Sequence, residues 1–362
     1  QFEGLATELG VPGAAMLVRT PPQGEVTAVF GVTQLHGSTP VSLDDHIRIG
    51  SNTKTMTGTV ILQLVQEGRI ALSDKVAKYR PDVPNGNRIT IEQLLTMRSG
   101  LANYTTTLAL NTALDEQPQR AWNPEELAAM GLAEPPLFAP GEGWAYSNTN
   151  TVLLGLIAEQ LEHKPLAEIF QERLFTPPRA AGDLVSGRGR RSLPEPYSHG
   201  YMYSTNVATM QTSELPADQL AQAKAGTLLP NDTTNLNPSW AGAAGGAGIS
   251  TIRDLAHWVE ALGGGGGVLG PHAAEGAPGE RAAGAHPAAS TARPAVRLGH
   301  RQDRAALRPH RGSCPVTTRS WGYDPPVQKV TIVVWTNLAP AADGRPPAAT
   351  IATALMKSIY GS

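Results

Sequence analysis

The sequence predicts an α/β (α+β) fold in which both ends of the chain build a sheet and the middle supplies a mostly helical insertion. Three observations carry this expectation. Strand-like text lies near both termini, at 13–34 and 329–338. Between them the apolar residues recur at helical spacing. The 362 residues suffice for one large or two ordinary domains with a true core. The expected division is 1–75 with 235–362 as the sheet domain, and 76–234 as the helical one.

Residues 13–20 (GAAMLVRT) and 25–34 (EVTAVFGVTQ) read as two strands joined by a PPQG turn. From 52 to 67 the period changes. Met56, Val60, Ile61, Leu64 and Val65 fall at i, i+4, i+5, i+8 and i+9, one face of a helix. Gly68 follows as its C-terminal cap. Thr90 opens a short helix over 90–97 (TIEQLLTM), and Gln93 completes a capping box with it. Further helices are expected at 124–130 and 150–163. KVTIVVWTNL (329–338) is an apolar run suited to a buried strand. AATIATALMKSIY (348–360) has an amphipathic helical pattern.

The net charge of −2 gives no reason to expect a nucleic-acid or anionic-membrane surface. No run of 18 or more apolar residues exists, so no transmembrane helix is expected. The sequence opens at Gln1 without a basic and then apolar leader, which suits either a cytosolic protein or one whose signal peptide has been removed. Cys314 is the single cysteine, which excludes an internal disulfide framework and a cysteine-based zinc site.

The stretch IGSNTKTM (49–56) puts Ser51 three residues before Lys54 where a polar turn enters a helix. Residues i and i+3 share a helix face, so hydroxyl and amine would be neighbours. The serine would also sit beside first-turn N–H groups that have no intrahelical acceptor. A serine hydroxyl needs an adjacent base to become a nucleophile, and a lysine can serve. Taken alone, the same text reads as an ordinary serine cap followed by a solvated lysine, because Ser-x-x-Lys is common by chance. A second stretch, GEGWAYSNTNTVLLGLIAEQL (141–161), places Tyr146, Ser147 and Asn148 before another apolar helix. A phenolate next to an ammonium can act as general base, and an asparagine amide can orient the lysine and hold a substrate carbonyl.

Together the two stretches resemble the penicillin-recognising serine hydrolases, in which Ser-x-x-Lys is a signature. The Tyr-x-Asn form looks like the class C β-lactamase and secreted actinomycete DD-carboxypeptidase branch. IRIGSNTK, ILQLVQEGRIALSDKV, LLTMRSGLANYT (94–105) and PGEGWAYSNTN (140–150) carry the likeness, which covers about 1–176, 191–262 and 320–362. It implies a β-lactamase/transpeptidase-like fold: an antiparallel sheet flanked by N- and C-terminal helices, plus the helical insertion. It implies Ser51, Lys54, Tyr146 and Asn148 as catalytic residues, with no metal and no organic cofactor. The substrate would be a small peptide or a β-lactam, with a peptidoglycan stem peptide in the lead, and the location secreted or cell-envelope. A D-alanyl-D-alanine carboxypeptidase leads. A class C-like β-lactamase, an esterase or D-amino-acid amidase, and a penicillin-binding sensor without turnover are the alternatives. Trp240, in NPSWAGAAGGAGIS, resembles the aromatic wall of the pocket and is equally a core tryptophan.

The family's third element is a Lys-Thr-Gly or His-Thr-Gly on the strand edge flanking the serine. The sequence offers only His310-Arg311-Gly312. By the resemblance His310 and Gly312 would bind the substrate carboxylate, and a backbone N–H near Ser313 would join that of Ser51 in the oxyanion hole. The surrounding text is anomalous. Residues 268–318 contain no Ile, Phe, Tyr, Trp, Met, Lys or Asn, and Ala, Gly, Pro, Arg and His supply 35 of the 51. Such text reads as a disordered linker where a core strand is expected. It reads better as GC-rich gene sequence translated out of frame, because TARPAVRLGHRQDRAALRPHRG can be encoded so that a one-nucleotide shift yields RYGLAIARTGPLSGHTG. PPRAAGDLVSGRG (177–189) shifts in the same way to PLGLQETSFPDED, so 177–190 is suspected as well.

Overall fold

A computed structural model of the chain describes residues 1–20, 24–175, 185–186, 192–263, 317–323 and 330–360. In chain order the elements are α1 (Phe2–Glu8), β1 (Gly13–Thr20), β2 (Gly24–Gly31), β3 (Ile47–Arg48), α2 (Thr53–Gln66), α3 (Ile91–Leu95), α4 (Leu108–Glu116) and α5 (Pro124–Leu132). They continue as α6 (Asn148–Glu162), α7 (Leu166–Phe170), β4 (Val185–Ser186), β5 (Tyr201–Met202), α8 (Asn206–Thr209), α9 (Ala217–Lys224) and β6 (Asn231–Asp232). The last are β7 (Gly248–Ser250), α10 (Ile252–Gly263), β8 (Thr317–Tyr323), β9 (Val330–Thr336) and α11 (Pro347–Tyr360).

The main sheet has the order β2-β1-β9-β8, so strands from the two ends of the chain lie side by side. All its pairings are antiparallel, with Leu17 opposite both Thr27 and Val333, and Ser320 opposite Val333. Alternation along β1 and β9 explains why this sheet is covered twice. Ala15, Leu17, Val333 and Trp335 face the larger core, shared with α2, α6 and α10. Ala14, Met16, Val18, Ile332 and Val334 face a second core under α1 and α11. Every residue of β9 is buried, as its apolar run requires. β2 has only the outer side of the sheet to occupy, and Val26 and Val29 are exposed. The antiparallel sheet between terminal helices is therefore as expected.

The expected helices at 52–67 and 348–360 match α2 and α11 closely. Gly68 lies just beyond α2 at φ +70°, the left-handed conformation a helix end favours. The Thr90–Gln93 capping box is present in both directions. The sequence reading did not find α1: seven residues with Phe2 and Ala6 buried give little periodicity to detect. No helix among the described residues is long and apolar enough to cross a membrane.

Candidate active site

Ser51 stands where β3 turns into α2. Ile49 N–H donates to the Gly248 carbonyl at 3.0 Å and so extends the β3–β7 pairing to the turn. Gly50 then takes φ +53°, which a glycine adopts without steric cost, and Gly50–Asn52 form one 3₁₀ turn before α2 begins. Thr53 locks the turn: its hydroxyl donates to Gly50 O at 2.7 Å and accepts from Gly248 N at 3.1 Å. A Cβ on Gly248 would sit 2.7 Å from that oxygen, so the close approach requires glycine. The serine thus precedes the α-helix by a tight turn, and its side chain is exposed to a cleft. The edge strand β8 runs beside this turn.

Tyr146 and Asn148 come from the start of α6, which is laced to the 99–105 loop. Ser147 and Thr149 hydroxyls both donate to Ala102 O, at 3.0 and 2.6 Å, and Ser99 donates to Asn150 Oδ1 at 2.6 Å. The Asn148 N–H and its Nδ2 donate to Asn103 Oδ1 at 3.0 and 3.1 Å, and Nδ2 also donates to Thr105 Oγ1 at 3.0 Å.

These anchors bring the four predicted catalytic residues together. Ser51 Oγ lies 2.6 Å from Tyr146 Oη. Lys54 Nζ donates to Ser51 Oγ at 3.0 Å and to Gly245 O at 2.6 Å, and lies 5.0 Å from the Tyr146 ring centroid. Tyr146 Oη donates to Asn148 Oδ1 at 3.5 Å, the long limit of such a bond. With one lone pair of the serine oxygen taken by the lysine, the hydroxyl can still either donate to Tyr146 Oη or accept from it. The 2.6 Å contact gives the serine proton a direct path to the Tyr146 oxygen, with the Lys54 amine on the same serine oxygen.

One sequence expectation needs revising, and one left open can be described. Asn148 was expected to orient Lys54. No hydrogen bond joins them among the described residues, and the Gly245 carbonyl holds the amine instead. A backbone carbonyl leaves no side-chain signature; the only trace is the glycine-rich AGAAGGAG text (241–248) that lets the chain pass so near Lys54. Trp240 was open between pocket wall and core. It is 9 % exposed within the larger core, and its carbonyl accepts from Tyr104 Oη at 3.0 Å. His310, Gly312, Ser313 and Cys314 lie outside the described residues. Asn103 and Thr105 went unnoticed because polar loop residues have no spacing rule.

The fold and this constellation are those of the penicillin-recognising serine hydrolase family. The chain belongs to the Beta-lactamase family, whose model matches residues 1–355. It is 29 % identical over 183 residues to "Penicillin-binding protein 4*" of Bacillus subtilis (strain 168), covering 50 % of this chain and 40 % of that protein. The chain spans less than half the length of the curated relatives it matches. Among solved structures, a D-stereospecific amidohydrolase from Streptomyces sp. superposes with TM-score 0.69 at 26 % identity, covering 99 % of this chain and 96 % of that one. The D-amino acid amidase of Ochrobactrum anthropi SV3 shares the fold, with TM-score 0.73 at 21 % identity and coverage of 99 % and 97 %.

Proposed function

We propose that the chain is an acyl-enzyme hydrolase acting as a D-alanyl-D-alanine carboxypeptidase. The observation that carries this is the 2.6 Å contact between Ser51 Oγ and Tyr146 Oη, with Lys54 Nζ 3.0 Å from the same oxygen. Ser51 Oγ attacks the carbonyl carbon of the penultimate D-alanine while its proton moves to the Tyr146 oxygen, which acts as a phenolate beside the Lys54 ammonium and becomes a neutral phenol. The Ser51 backbone N–H, in the first helical turn, stabilises the developing oxyanion. Such a donor is worth about 3 kcal/mol at the transition state. The proton then passes from Tyr146 to the leaving nitrogen, the C–N bond breaks, and water releases the acyl group by the reverse sequence. Lys54 keeps the hydroxyl oriented, and its positive charge favours the phenolate that takes the proton.

A second reading, hydrolysis of D-amino acid amides at the same serine, is favoured by the two amide-hydrolase structures that share this fold. A panel separates the two: an N-acyl-D-Ala-D-Ala peptide, D-phenylalanine amide, nitrocefin and a p-nitrophenyl ester. The carboxypeptidase reading predicts the highest kcat/KM on the peptide. Preference for D-phenylalanine amide would establish the second reading, preference for nitrocefin a β-lactamase, and preference for the ester an esterase. Binding of penicillin with no turnover of any substrate would leave a sensor. With the peptide as substrate, a secreted or cell-envelope location follows as part of the proposal, and fractionation of the producing cells tests it.

A further inference from the structure

Trp335, in β9, and Asn337, just beyond it, stand two residues apart and share a side of the strand. They are 2 % and 1 % exposed. The backbone of Gly13 fixes Asn337: its Oδ1 accepts from Gly13 N at 2.7 Å, and its own N–H donates to Gly13 O at 3.0 Å. A backbone N–H only donates, so the side-chain atom it meets is the oxygen and the other is Nδ2. A Cβ on Gly13 would lie 2.9 Å from that Nδ2, so the close approach requires glycine. Asn337 Nδ2 and Trp335 Nε1 have no hydrogen-bond partner among the described residues. Both residues line one cavity of about 10 Å³, together with Arg48, Ser198, His199 and Thr234. That volume admits a single guest, a water or one small ion.

The lining decides between the two. Both unpartnered atoms are donors only. Arg48 is buried and brings a guanidinium, whose Nη2 donates to Thr234 O at 3.5 Å. No described lining residue is acidic. The two carboxylates behind the wall are engaged elsewhere. Asp45 accepts from Ser198 Oγ at 2.8 Å and from Ser42 N at 3.1 Å. Asp232 pairs with His199 Nδ1 at 2.6 Å and accepts from Thr234 N at 2.8 Å. A water that accepted both N–H groups would still need acceptors for its own two hydrogens. An anion needs none, and it gains the charge of Arg48. We propose that this cavity binds one monatomic anion of the chloride class, held by Trp335 Nε1, Asn337 Nδ2 and the Arg48 guanidinium. The site stands on the cavity and is independent of the hydrolase reading. Arg48 closes β3 three residues before Ser51, so the ion ties the end of β9 to the strand that carries the nucleophile.

The test is thermal unfolding of the chain dialysed free of halide, titrated with sodium chloride against sodium glutamate at constant ionic strength. One site on the folded chain is expected to raise the melting temperature by about 2 °C once chloride is about tenfold above half-saturation. Trp335→Phe keeps a ring and removes the N–H, and should move half-saturation to about tenfold more chloride, the scale of one hydrogen bond to a charge. Asn337→Asp keeps the Gly13 contact and places a carboxylate oxygen where Nδ2 was, beside Arg48, so its melting temperature should no longer respond to chloride. A buried water as the only guest gives the parent the same melting temperature in both salts, and that result overturns the proposal. An equal chloride response in the parent and both variants overturns it too. Should the variants fail to fold, parent crystals grown in sodium chloride decide, recorded at a long X-ray wavelength where chlorine scatters anomalously and oxygen does not. A peak between Trp335 Nε1 and Asn337 Nδ2 is expected, and its absence rejects the site. A peak without any chloride response in solution is an adventitious ion only and rejects it as well.

Discussion

The proton shared by Ser51 and Tyr146 is the one the chemistry must move first, and the 2.6 Å between their oxygens leaves no room for an intervening water. Lys54 reaches the same oxygen at 3.0 Å, but its second donor is spent on Gly245 O. The amine is thus tethered to a backbone atom rather than swinging free. Tyr146→Phe keeps the ring and removes the acceptor. Acylation by benzylpenicillin is expected to slow by at least about a hundredfold with the melting temperature unchanged, the usual scale for losing a general base. A rate within a fewfold of the parent would remove the phenol from the mechanism. Ser51, Lys54 and Tyr146 could be found in the sequence because the two stretches that carry them together resemble a known family's motifs; either spacing alone reads as an ordinary helix cap. Gly245 could not, since its contribution is a carbonyl every residue possesses.

Among the elements, those with long periodic or unbroken apolar text were readable: α2 and α11 from helical spacing, β9 from an apolar run that only a doubly covered strand can use. The loop over 99–105 was not, because its form depends on α6. Ala102 O and Asn103 Oδ1 are where they are because Ser147, Asn148 and Thr149 bond to them. Ahead of α3, Asp74 ties a second loop. It accepts from Tyr79 Oη at 2.5 Å, from Ala71 N at 2.9 Å and from Lys78 Nζ at 3.0 Å. The Tyr79 hydroxyl first, then the Ala71 N–H and Lys78, hold its carboxyl down at about 2 from an ordinary 3.8. A depressed folded-state value means stability that is complete above the ordinary value and lost as pH falls from about 4 toward 2. Asp74→Asn is expected to lower stability at pH 7 by about 1–2 kcal/mol, the scale of hydrogen bonds to a charged group. It should also flatten the decline between pH 4 and 2. Denaturant titrations across that range check both, and an unaltered acid limb would show that Asp74 contributes nothing to it.

At the scale of the whole molecule, the sheet assembled from both chain ends packs on α10 and α2 packs on α6, and Ser51 and Tyr146, 95 residues apart in sequence, meet in one cleft. The division into 1–75 with 235–362 and 76–234 remains our proposal. The larger core crosses that line, joining Leu17 and Val333 of the sheet to Leu127 and Leu153 of the helices. Residues 268–318 are the part whose composition does not suit a core strand of this fold, and we propose that they and 177–190 are out-of-frame text. Sequencing the gene across both segments is expected to expose the frame slips. A single clean frame encoding the printed residues would refute this.

The most direct test is peptide mass spectrometry of the intact chain after brief exposure to benzylpenicillin. One covalent adduct is expected, carried on the hydroxyl of Ser51 and missing from Ser51→Ala. An adduct at another residue, or one that survives in Ser51→Ala, would contradict it.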